Sequence, residues 1–247
     1  MADSVWQYVS SPPLTVGEIH VWKALVPGDC SDTALIKPCL SADEMSCASR
    51  FHHARDRRRF IAARSQLRLL LGQYLGRAPE AIRFHYNDFG KPFVPDSAGL
   101  GFNVSHAGDL VLYAFARKAE IGVDVEPIRD DFPVEDIARH YFPPAEVAVL
   151  DGLPDHLKHR AFFDCWTRKE AYIKARGKGL SIPLDSFDVS LAPGEPARLL
   201  RIGDQAARTA DWSLFDLRPA PGYAGALAIR GQNWRLSLWE FAPSFAL

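Results

Sequence analysis

A carboxylate on an apolar helix face is the first sign of chemistry in this sequence. The spacing predicts a helix over residues 161–176 that stops at Gly177, because glycine often follows the last residue of a helix. Its apolar face carries Phe162, Phe163, Trp166 and Ile173. Glu170 projects from the middle of that face, with Lys169 and Lys174 at its edges. A buried carboxylate is unfavourable unless a cation or several donors satisfy it. Glu170 therefore requires a metal ion or another strong partner.

A simpler explanation is an ion pair between Glu170 and Lys174 at helical spacing. Such a pair stabilises an exposed helix by about 0.2–0.5 kcal/mol. It accounts for a charge on a solvated face, and the pattern of this helix indicates a face that is not solvated.

Two more carboxylates, Asp124 and Glu126, lie close together on a predicted strand over 121–126. The strand alternates, so its three aliphatic side chains face the core and both acids point the other way. Side chains two residues apart on a strand are about 6.5–7 Å apart, a separation that one divalent cation can bridge. Two carboxylates on a solvated sheet face are the alternative. All-oxygen ligands would favour Mg²⁺ or Mn²⁺ over zinc.

Two strands before this one place further polar groups near the acids. The pattern predicts strands over 101–106 and 110–116, joined to each other and to 121–126 by tight turns. In an antiparallel meander the first strand ends beside the end of the third. Ser105 and His106 are therefore expected at the same edge as Asp124 and Glu126.

Basic residues occur in three settings. Arg64 shares the apolar face of a predicted long helix, where a buried phosphate or a buried carboxylate would satisfy it equally well. Arginines spread around the start of that helix, a pattern typical of a solvated face: Arg55, Arg57, Arg58 and Arg59. Lys91 lies in a turn between Gly90 and Pro92, where a solvated lysine is the common interpretation.

The remaining pattern predicts an α+β chain. Strands are expected over 18–25, 186–191, 210–217, 223–229 and 235–240, and short helices over 134–142 and 144–150. A capping box at 41–44 begins one helix, a long helix runs from the fifties to Leu75 before Gly76, and residues 1–14 form a loose lead-in. Each half thus offers strands and one long helix, which suggests two similar halves, 1–117 and 118–247, without a direct sequence repeat.

Composition limits the partners. The chain has 247 residues, 47% hydrophobic and 24% charged, with a formal net charge of -1. This balance favours neither nucleic acid nor a membrane surface, so any anion site must be local. No long apolar run or signal-peptide pattern appears, and the four cysteines show no C-x-x-C spacing. A reduced, cytoplasmic, zinc-free protein is expected.

Four motifs together resemble the 4′-phosphopantetheinyl transferase superfamily, in its long single-chain, surfactin-synthetase-activating branch. They are F-G-K-P at 89–92, F-N-V-S-H at 102–106, I-G-V-D-V-E at 121–126, and W-T-R-K-E-A-Y-I-K at 166–174 with G-K-G-L at 177–180. They occur in family order over roughly residues 50–190. The resemblance implies two similar α/β halves packed as a pseudo-dimer, with the active site between them. It also implies transfer of phosphopantetheine from coenzyme A to a serine of an apo carrier protein by a monomer, releasing adenosine 3′,5′-bisphosphate.

The resemblance also assigns roles to individual residues. Asp124, Glu126 and Glu170 match the family's Mg²⁺ ligands, and Glu170 matches the residue proposed there as base for the serine hydroxyl. Positions that hold coenzyme A phosphates are matched by Lys91, Ser105, His106, Lys169 and Lys174. We expect Lys174 and His106 to steady the charge of the reacting diphosphate. Basic residues that the family carries before the long helix, near the 3′-phosphate, correspond here to Glu44 and Cys47. Arg50 or an arginine of the 55–59 run is the candidate substitute, and Arg64 is a further candidate for binding coenzyme A.

Two other functions compete with this interpretation. A Mg²⁺-dependent pyrophosphohydrolase would need carboxylates grouped closely on one helix, and the sequence has no such repeat. A non-catalytic module that binds coenzyme A or a carrier would not need Glu170, so replacing this residue distinguishes it from the transferase.

Overall fold

The computed structural model describes residues 13–26, 39–203 and 208–241. Its helices are α1 (Ala42–Ser49), α2 (Ala54–Leu75), α3 (Val134–Tyr141), α4 (Pro144–Asp151) and α5 (Asp155–Arg176). Its strands are β1 (Glu18–Leu25), β2 (His85–Tyr86), β3 (Pro92–Phe93), β4 (Leu100–Ala107), β5 (Leu110–Arg117), β6 (Ile121–Pro127), β7 (Phe187–Val189), β8 (Leu199–Ile202), β9 (Trp212–Leu217), β10 (Tyr223–Arg230) and β11 (Arg235–Glu240). Most of the predicted lead-in and Cys30 lie outside the described residues.

The first large sheet has four strands in the order β11-β1-β5-β4. β5 pairs antiparallel with β1 and β4, whereas β11 pairs parallel with β1. Helix α2 covers one face, where Leu70 and Leu71 join Trp22 and Phe115 in a buried cluster. The helix begins without a side-chain cap and ends at Gly76, whose φ of 62° is the left-handed conformation that glycine adopts without strain.

The second large sheet has three antiparallel strands in the order β6-β10-β9. Helix α5 packs on it and buries Phe162, Phe163 and Ile173. The approach of α5 to β6 requires Gly122, because a Cβ there would lie 2.1 Å from the carbonyl oxygen of Ala171. Helix and strand are therefore in backbone contact close to Asp124.

The two sheets share a third core. Ile19, Val21 and Leu112 from the first sheet pack with Val123 and Val125 from the second. Each sheet thus has one 22-residue helix on its outer side, α2 or α5. The expected mixture of strands and two long helices is confirmed, and the pseudo-dimer relation between the halves stays a prediction.

Two topological expectations were wrong. β6 does not complete a meander with β4 and β5, but pairs with β10, about a hundred residues further along the chain. β11 belongs by sequence to the predicted second half and yet extends the first sheet. The proximity of β4 to β6 is real nevertheless, because Asn103 Oδ1 accepts a hydrogen bond from Val123 N at 2.8 Å across the junction of the sheets.

Candidate active site

The two sheets and α5 meet at a polar cavity of about 390 Å³. It is lined by Val104, Ser105 and His106 of β4, Asp124 and Glu126 of β6, and Trp166, Glu170 and Lys174 of α5. We call it the acidic cavity. It brings together all three predicted metal ligands, the predicted catalytic residues Lys174 and His106, and Ser105. Strands β4 and β6 are separated along the chain by β5 alone, whereas α5 comes from the later half of the sequence.

Asp124 is the most buried acid of the cavity, with 3% of its surface exposed. Its Oδ1 accepts hydrogen bonds from Ser105 Oγ at 2.9 Å and from Lys174 Nζ at 2.6 Å. Burial raises the pKa of Asp124, and the Lys174 ammonium opposes that rise. Lys174 also donates to Ser105 Oγ at 3.0 Å, so the three side chains form one triangle. The alternative of a simple Glu170–Lys174 pair is wrong, since the ammonium is directed to Asp124.

Glu126 and Glu170 are half-buried in the same cavity. Burial raises the pKa of both carboxyls, and repulsion from Asp124 raises each of them further. Three acids in mutual repulsion inside one cavity are an arrangement that a bound cation would relieve.

The donor set suits a hard cation, although the acids do not enclose one. Among the described residues, no three His, Cys, Asp or Glu side chains form a ready metal cage. Asp124 Oδ2, however, is buried and has no hydrogen-bond partner in the described part of the chain. An orphaned carboxylate oxygen beside two further carboxylates fits the all-oxygen coordination of Mg²⁺ or Mn²⁺.

His106 lies at the rim of the acidic cavity. Although its ring reaches solvent, partial burial lowers the pKa of the imidazole, and the charges of Lys174 and Arg59 lower it further. Asp124 opposes this effect. The ring is therefore neutral at physiological pH and offers one donor and one acceptor nitrogen.

A larger apolar cavity of about 470 Å³ adjoins the acidic one through Val104 and His106. It lies between α2 and the first sheet, and its other lining residues are Val26, Phe51, Asp56, Arg59, Phe60, Ala63, Arg64, Leu67, Pro92, Gly108 and Val111. Arg59 holds Asp109, with Nη2 2.6 Å from Oδ1. The sequence pattern places Arg59 in a run of arginines typical of a solvated face. Nothing in its spacing distinguishes it from Arg57 or Arg58.

Lys169 is not in either cavity. Its side chain is fully buried on the other side of α5, with Nζ 2.9 Å from Glu146 Oε2. Nζ also donates to the carbonyl oxygens of Leu184 and Phe187 at 2.8 and 2.6 Å. The ammonium is thus surrounded by a buried carboxylate and two backbone carbonyls and lines neither cavity, so it does not reach a phosphate bound there. The predicted phosphate contact of Lys169 does not fit this geometry.

Lys91 is likewise directed away from the cavities. Its Nζ donates to three backbone carbonyls, those of Ile121, Lys174 and Ala175, at 2.9, 2.7 and 3.1 Å. Burial lowers its pKa to about 8. Neither a solvated turn lysine nor a phosphate ligand describes this residue.

Arg64 has a carboxylate partner, one of the two alternatives left open by the sequence. Its Nε lies 2.5 Å from Glu44 Oε1, and Arg68 Nε lies 2.8 Å from the other oxygen of Glu44. Glu44 also closes the predicted capping box of α1, where its carboxylate accepts a hydrogen bond from Ser41 N at 2.8 Å. Glu44 therefore anchors α1 to α2. Arg50 is exposed at the end of α1, outside the lining of both cavities.

Comparison with known families identifies the family of the chain. Residues 120–228 match the family model of the 4′-phosphopantetheinyl transferase superfamily, and residues 28–118 match that of the N-terminal region of a 4′-phosphopantetheinyl transferase. The two matches meet close to the β5–β6 turn and together cover both large sheets except β1 and β11. The chain belongs to the 4′-phosphopantetheinyl transferase superfamily.

Individual relatives narrow the type. The chain is 38% identical over 242 residues to the 4′-phosphopantetheinyl transferase HetI of Nostoc sp., an alignment that covers 95% of this chain and 98% of the relative. It is 33% identical over 153 residues to the 4′-phosphopantetheinyl transferase Sfp of Bacillus subtilis, covering 62% and 66% respectively. The protein is therefore an enzyme of the 4′-phosphopantetheinyl transferase class, of the long single-chain type. No helix among the described residues is long and apolar enough to cross a membrane.

Proposed function

We propose that this enzyme transfers the 4′-phosphopantetheine group of coenzyme A to a serine of an apo acyl or peptidyl carrier protein, with a divalent cation. The observation that carries the proposal is the acidic cavity, in which three acids from two elements face Lys174 and His106. The acids suit a bound cation, while the Lys174 ammonium and the hydrogen-bond donor of the neutral His106 ring suit a diphosphate. The chain needs no nucleophile of its own, because the attacking hydroxyl belongs to the partner.

Asp124, Glu126 and Glu170 are the residues that would hold Mg²⁺, with Mn²⁺ as an alternative. Support comes from the unpartnered Oδ2 of Asp124 and from the mutual repulsion that raises the pKa of Glu126 and Glu170. When bound, the cation would neutralise charge on the diphosphate and on the departing phosphate.

The transfer forms a bond from the serine oxygen to the β-phosphorus of coenzyme A. The bond from that phosphorus to the bridging oxygen breaks, and adenosine 3′,5′-bisphosphate leaves with the electron pair. The serine proton goes to Glu170 directly or through an ordered water. Glu170 suits this role by its position, because its half-buried carboxylate lines the cavity that also contains Lys174 and His106.

Lys174 and His106 would bind the diphosphate beside the three acids. Lys174 is already held by Asp124 and Ser105, so its ammonium is oriented before the substrate arrives. We add Arg59 to the phosphate-binding groups, in place of Arg50 and Arg64. Arg59 and Arg64 both line the adjoining cavity, and both have a carboxylate partner, Asp109 or Glu44. We choose Arg59 because its charge lies close enough to His106 to lower the pKa of that ring.

The carrier protein would dock beside the start of α2. Carrier proteins are usually acidic, and residues 50–59 contain five arginines and two histidines but one acid. Phe51 and Phe60, next to these charges, line the apolar cavity. Local charge thus provides attraction that the net charge of -1 does not. A monomer in the cytoplasm, without nucleic-acid or membrane partners, completes the proposal.

Intact mass spectrometry of an apo carrier protein provides the test. After incubation with the enzyme, coenzyme A and Mg²⁺, the carrier should gain one phosphopantetheine arm. A parallel reaction without carrier should release no adenosine 3′,5′-bisphosphate. Release at the same rate without carrier would indicate a hydrolase, and absence of both products would contradict the proposal. Omitting Mg²⁺ in the presence of a chelator tests the cation requirement.

A further inference from the structure

The ammonium of Lys91 is saturated by the protein backbone. A lysine ammonium has three N–H donors, and the carbonyl oxygens of Ile121, Lys174 and Ala175 lie at 2.9, 2.7 and 3.1 Å from Nζ. Binding a phosphate would require giving up one of these bonds. The three acceptors belong to two elements that both carry residues of the acidic cavity.

Two of the acceptors are in the last turn of α5. Carbonyl groups there have no partner within the helix, and the negative end of the helix dipole favours a cation. The third acceptor, Ile121 O, lies at the start of β6. One positive charge from the loop between β2 and β3 therefore fastens the end of α5 to the start of β6.

The rest of that loop makes the same connection. Asn87 Nδ2 donates to Gly177 O at 2.7 Å, while Asn87 Oδ1 accepts hydrogen bonds from the backbone N of Phe89 and Lys91 at 3.0 and 2.9 Å. A Cβ at Gly177 would lie 3.1 Å from Lys91 Cδ. Gly177 thus ends the helix and also leaves room for the loop.

This position affects the cavity through Lys174. The backbone carbonyl of Lys174 is held by Lys91, and the Lys174 ammonium is held by Asp124 at 2.6 Å. Asp124 is three residues from Ile121, the other anchor. A shift of α5 along β6 would therefore change the Lys174–Asp124 distance and the position of Glu170 together.

We propose that Lys91 is a positioning residue, which fixes α5 against β6 and so sets the spacing between Lys174, Asp124 and Glu170 without touching the substrate. The effect on catalysis rests on the proposed function, whereas the structural part does not. A residue that binds a phosphate and one that positions the cavity differ in which kinetic constant they control.

Lys91→Met, which removes the charge and keeps the chain length, is the decisive variant. We expect kcat for transfer to fall at least ~10-fold, because small displacements of catalytic groups are costly, with KM for coenzyme A within ~3-fold of wild type. Calorimetry should give nearly unchanged binding of adenosine 3′,5′-bisphosphate. Lys91→Arg, which keeps charge and donors, should recover part of kcat. Lys178→Met, an exposed lysine just beyond α5, is the matched control and should behave as wild type.

Hydrogen exchange provides a readout that does not depend on activity. Amides at the end of α5 and the start of β6 should exchange faster in Lys91→Met and remain protected in Lys178→Met. Asn87→Ala leaves the Lys91 ammonium in place and should cause a smaller increase in exchange at the same amides. This variant replaces Lys91→Met in the measurement if Lys91→Met does not fold.

Three results would overturn the proposal. The first is a large loss of bisphosphate binding by Lys91→Met while kcat is retained. The second is unchanged hydrogen exchange at the end of α5 and the start of β6 in this variant. The third is a kcat of Lys91→Met equal to that of an active wild-type enzyme. If wild-type enzyme transfers nothing to a carrier, the proposed function fails, and the exchange measurement still decides the role of Lys91.

Discussion

Lys169 and Lys174 are five residues apart on α5, and their ammonium groups lie 2.9 and 2.6 Å from the carboxylates of Glu146 and Asp124. The first pair is sealed in the core, since the exposed fractions of its side chains are 0% and 3%. The second borders a cavity, and 29% of the Lys174 side chain is exposed. The same two residue types thus form pairs in two different environments on one helix.

What separates the pairs is access to a cavity. Glu146 Oε1 accepts a hydrogen bond from Val189 N, and Oε2 lies 2.9 Å from the Lys169 ammonium without hydrogen-bond geometry, but neither Glu146 nor Lys169 lines the acidic or the apolar cavity. Asp124 Oδ2 is also buried without a hydrogen-bond partner in the described part of the chain, but Asp124 and Lys174 both line the acidic cavity. A pair enclosed in the core can only stabilise the fold, whereas a pair beside a cavity can bind a ligand.

Glu170→Gln tests the cavity side of this comparison and should have the largest effect. Loss of a general base and of one cation ligand should lower kcat for transfer by ~10²–10⁴-fold. The folded structure should be retained, as judged by circular dichroism. Glu195→Gln, at an exposed position, should match wild type. Retained transfer by Glu170→Gln would remove Glu170 from the mechanism.

Lys169→Met tests the sealed pair. Leaving Glu146 buried without its cation should lower the free energy of unfolding by about 3–5 kcal/mol in denaturant titrations. Activity per folded molecule should stay near the wild-type value. Adding Glu146→Leu should recover much of the stability, because an apolar pair can replace a buried ion pair. A loss of activity at full stability would instead place Lys169 in the reaction.

Arg59→Gln tests whether a cation outside α5 contributes to binding coenzyme A. If Arg59 binds a phosphate of coenzyme A, KM for coenzyme A should rise about tenfold, the lower range for loss of a charged hydrogen bond. Arg57→Gln, exposed on the same helix, is the control. An equal change in both variants would indicate general electrostatic attraction.

Arg55 and Arg57 should affect the carrier and not coenzyme A. Replacing both with glutamine should raise KM for an acidic carrier by roughly 2–10-fold at low salt, since exposed charges mainly govern association. The difference should shrink as salt is added. Glutamine at Arg198 and Arg208, exposed in the second half, should leave carrier KM unchanged. An effect that does not depend on salt would argue against electrostatic docking.

The smallest expected effect is on the thermal stability of the metal-free protein. The raised pKa of Glu170 means that the folded state binds its proton more tightly than the unfolded state. Ionisation at neutral pH therefore destabilises the metal-free fold, and Glu170→Gln should melt higher than wild type there. The difference should vanish as pH falls to ~4, near the ordinary pKa of glutamate. Mg²⁺ should raise the melting temperature of wild type more than that of the variant.

Local pattern predicts most elements of this fold and the acids of its cavity, but not the short strands β2, β3 and β8. The periodicity of α5, its stop at Gly177 and the alternation of β6 depend on neighbouring residues, and the structure confirms all three. Convergence of Asp124, Glu126 and Glu170 on one cavity followed from motifs in family order. The meander was wrong because adjacent strands were assumed to pair, whereas β6 pairs with β10.

The partners of individual cations could not be predicted. Lys169 and Lys174 lie on the same helix within the same motif, and only the packing of Glu146 and Asp124 from other elements distinguishes them. Lys91 appears in the sequence as an exposed turn lysine, because its acceptors are backbone carbonyls 30 to 84 positions away. Backbone acceptors have no signature in the sequence. The sequence places Arg64 on the apolar face of its helix, but it does not distinguish a phosphate partner from a carboxylate partner.

The parallel pairing of β11 with β1 has a consequence for biosynthesis. A ribosome makes β11 more than two hundred residues after β1, so the edge of β1 that pairs with β11 stays uncovered while the residues between them emerge. Pairing between such distant segments is slow and leaves a strand edge open to association with other chains. Production of this enzyme should therefore be sensitive to truncation before residue 240, even though every residue of the acidic cavity is already present.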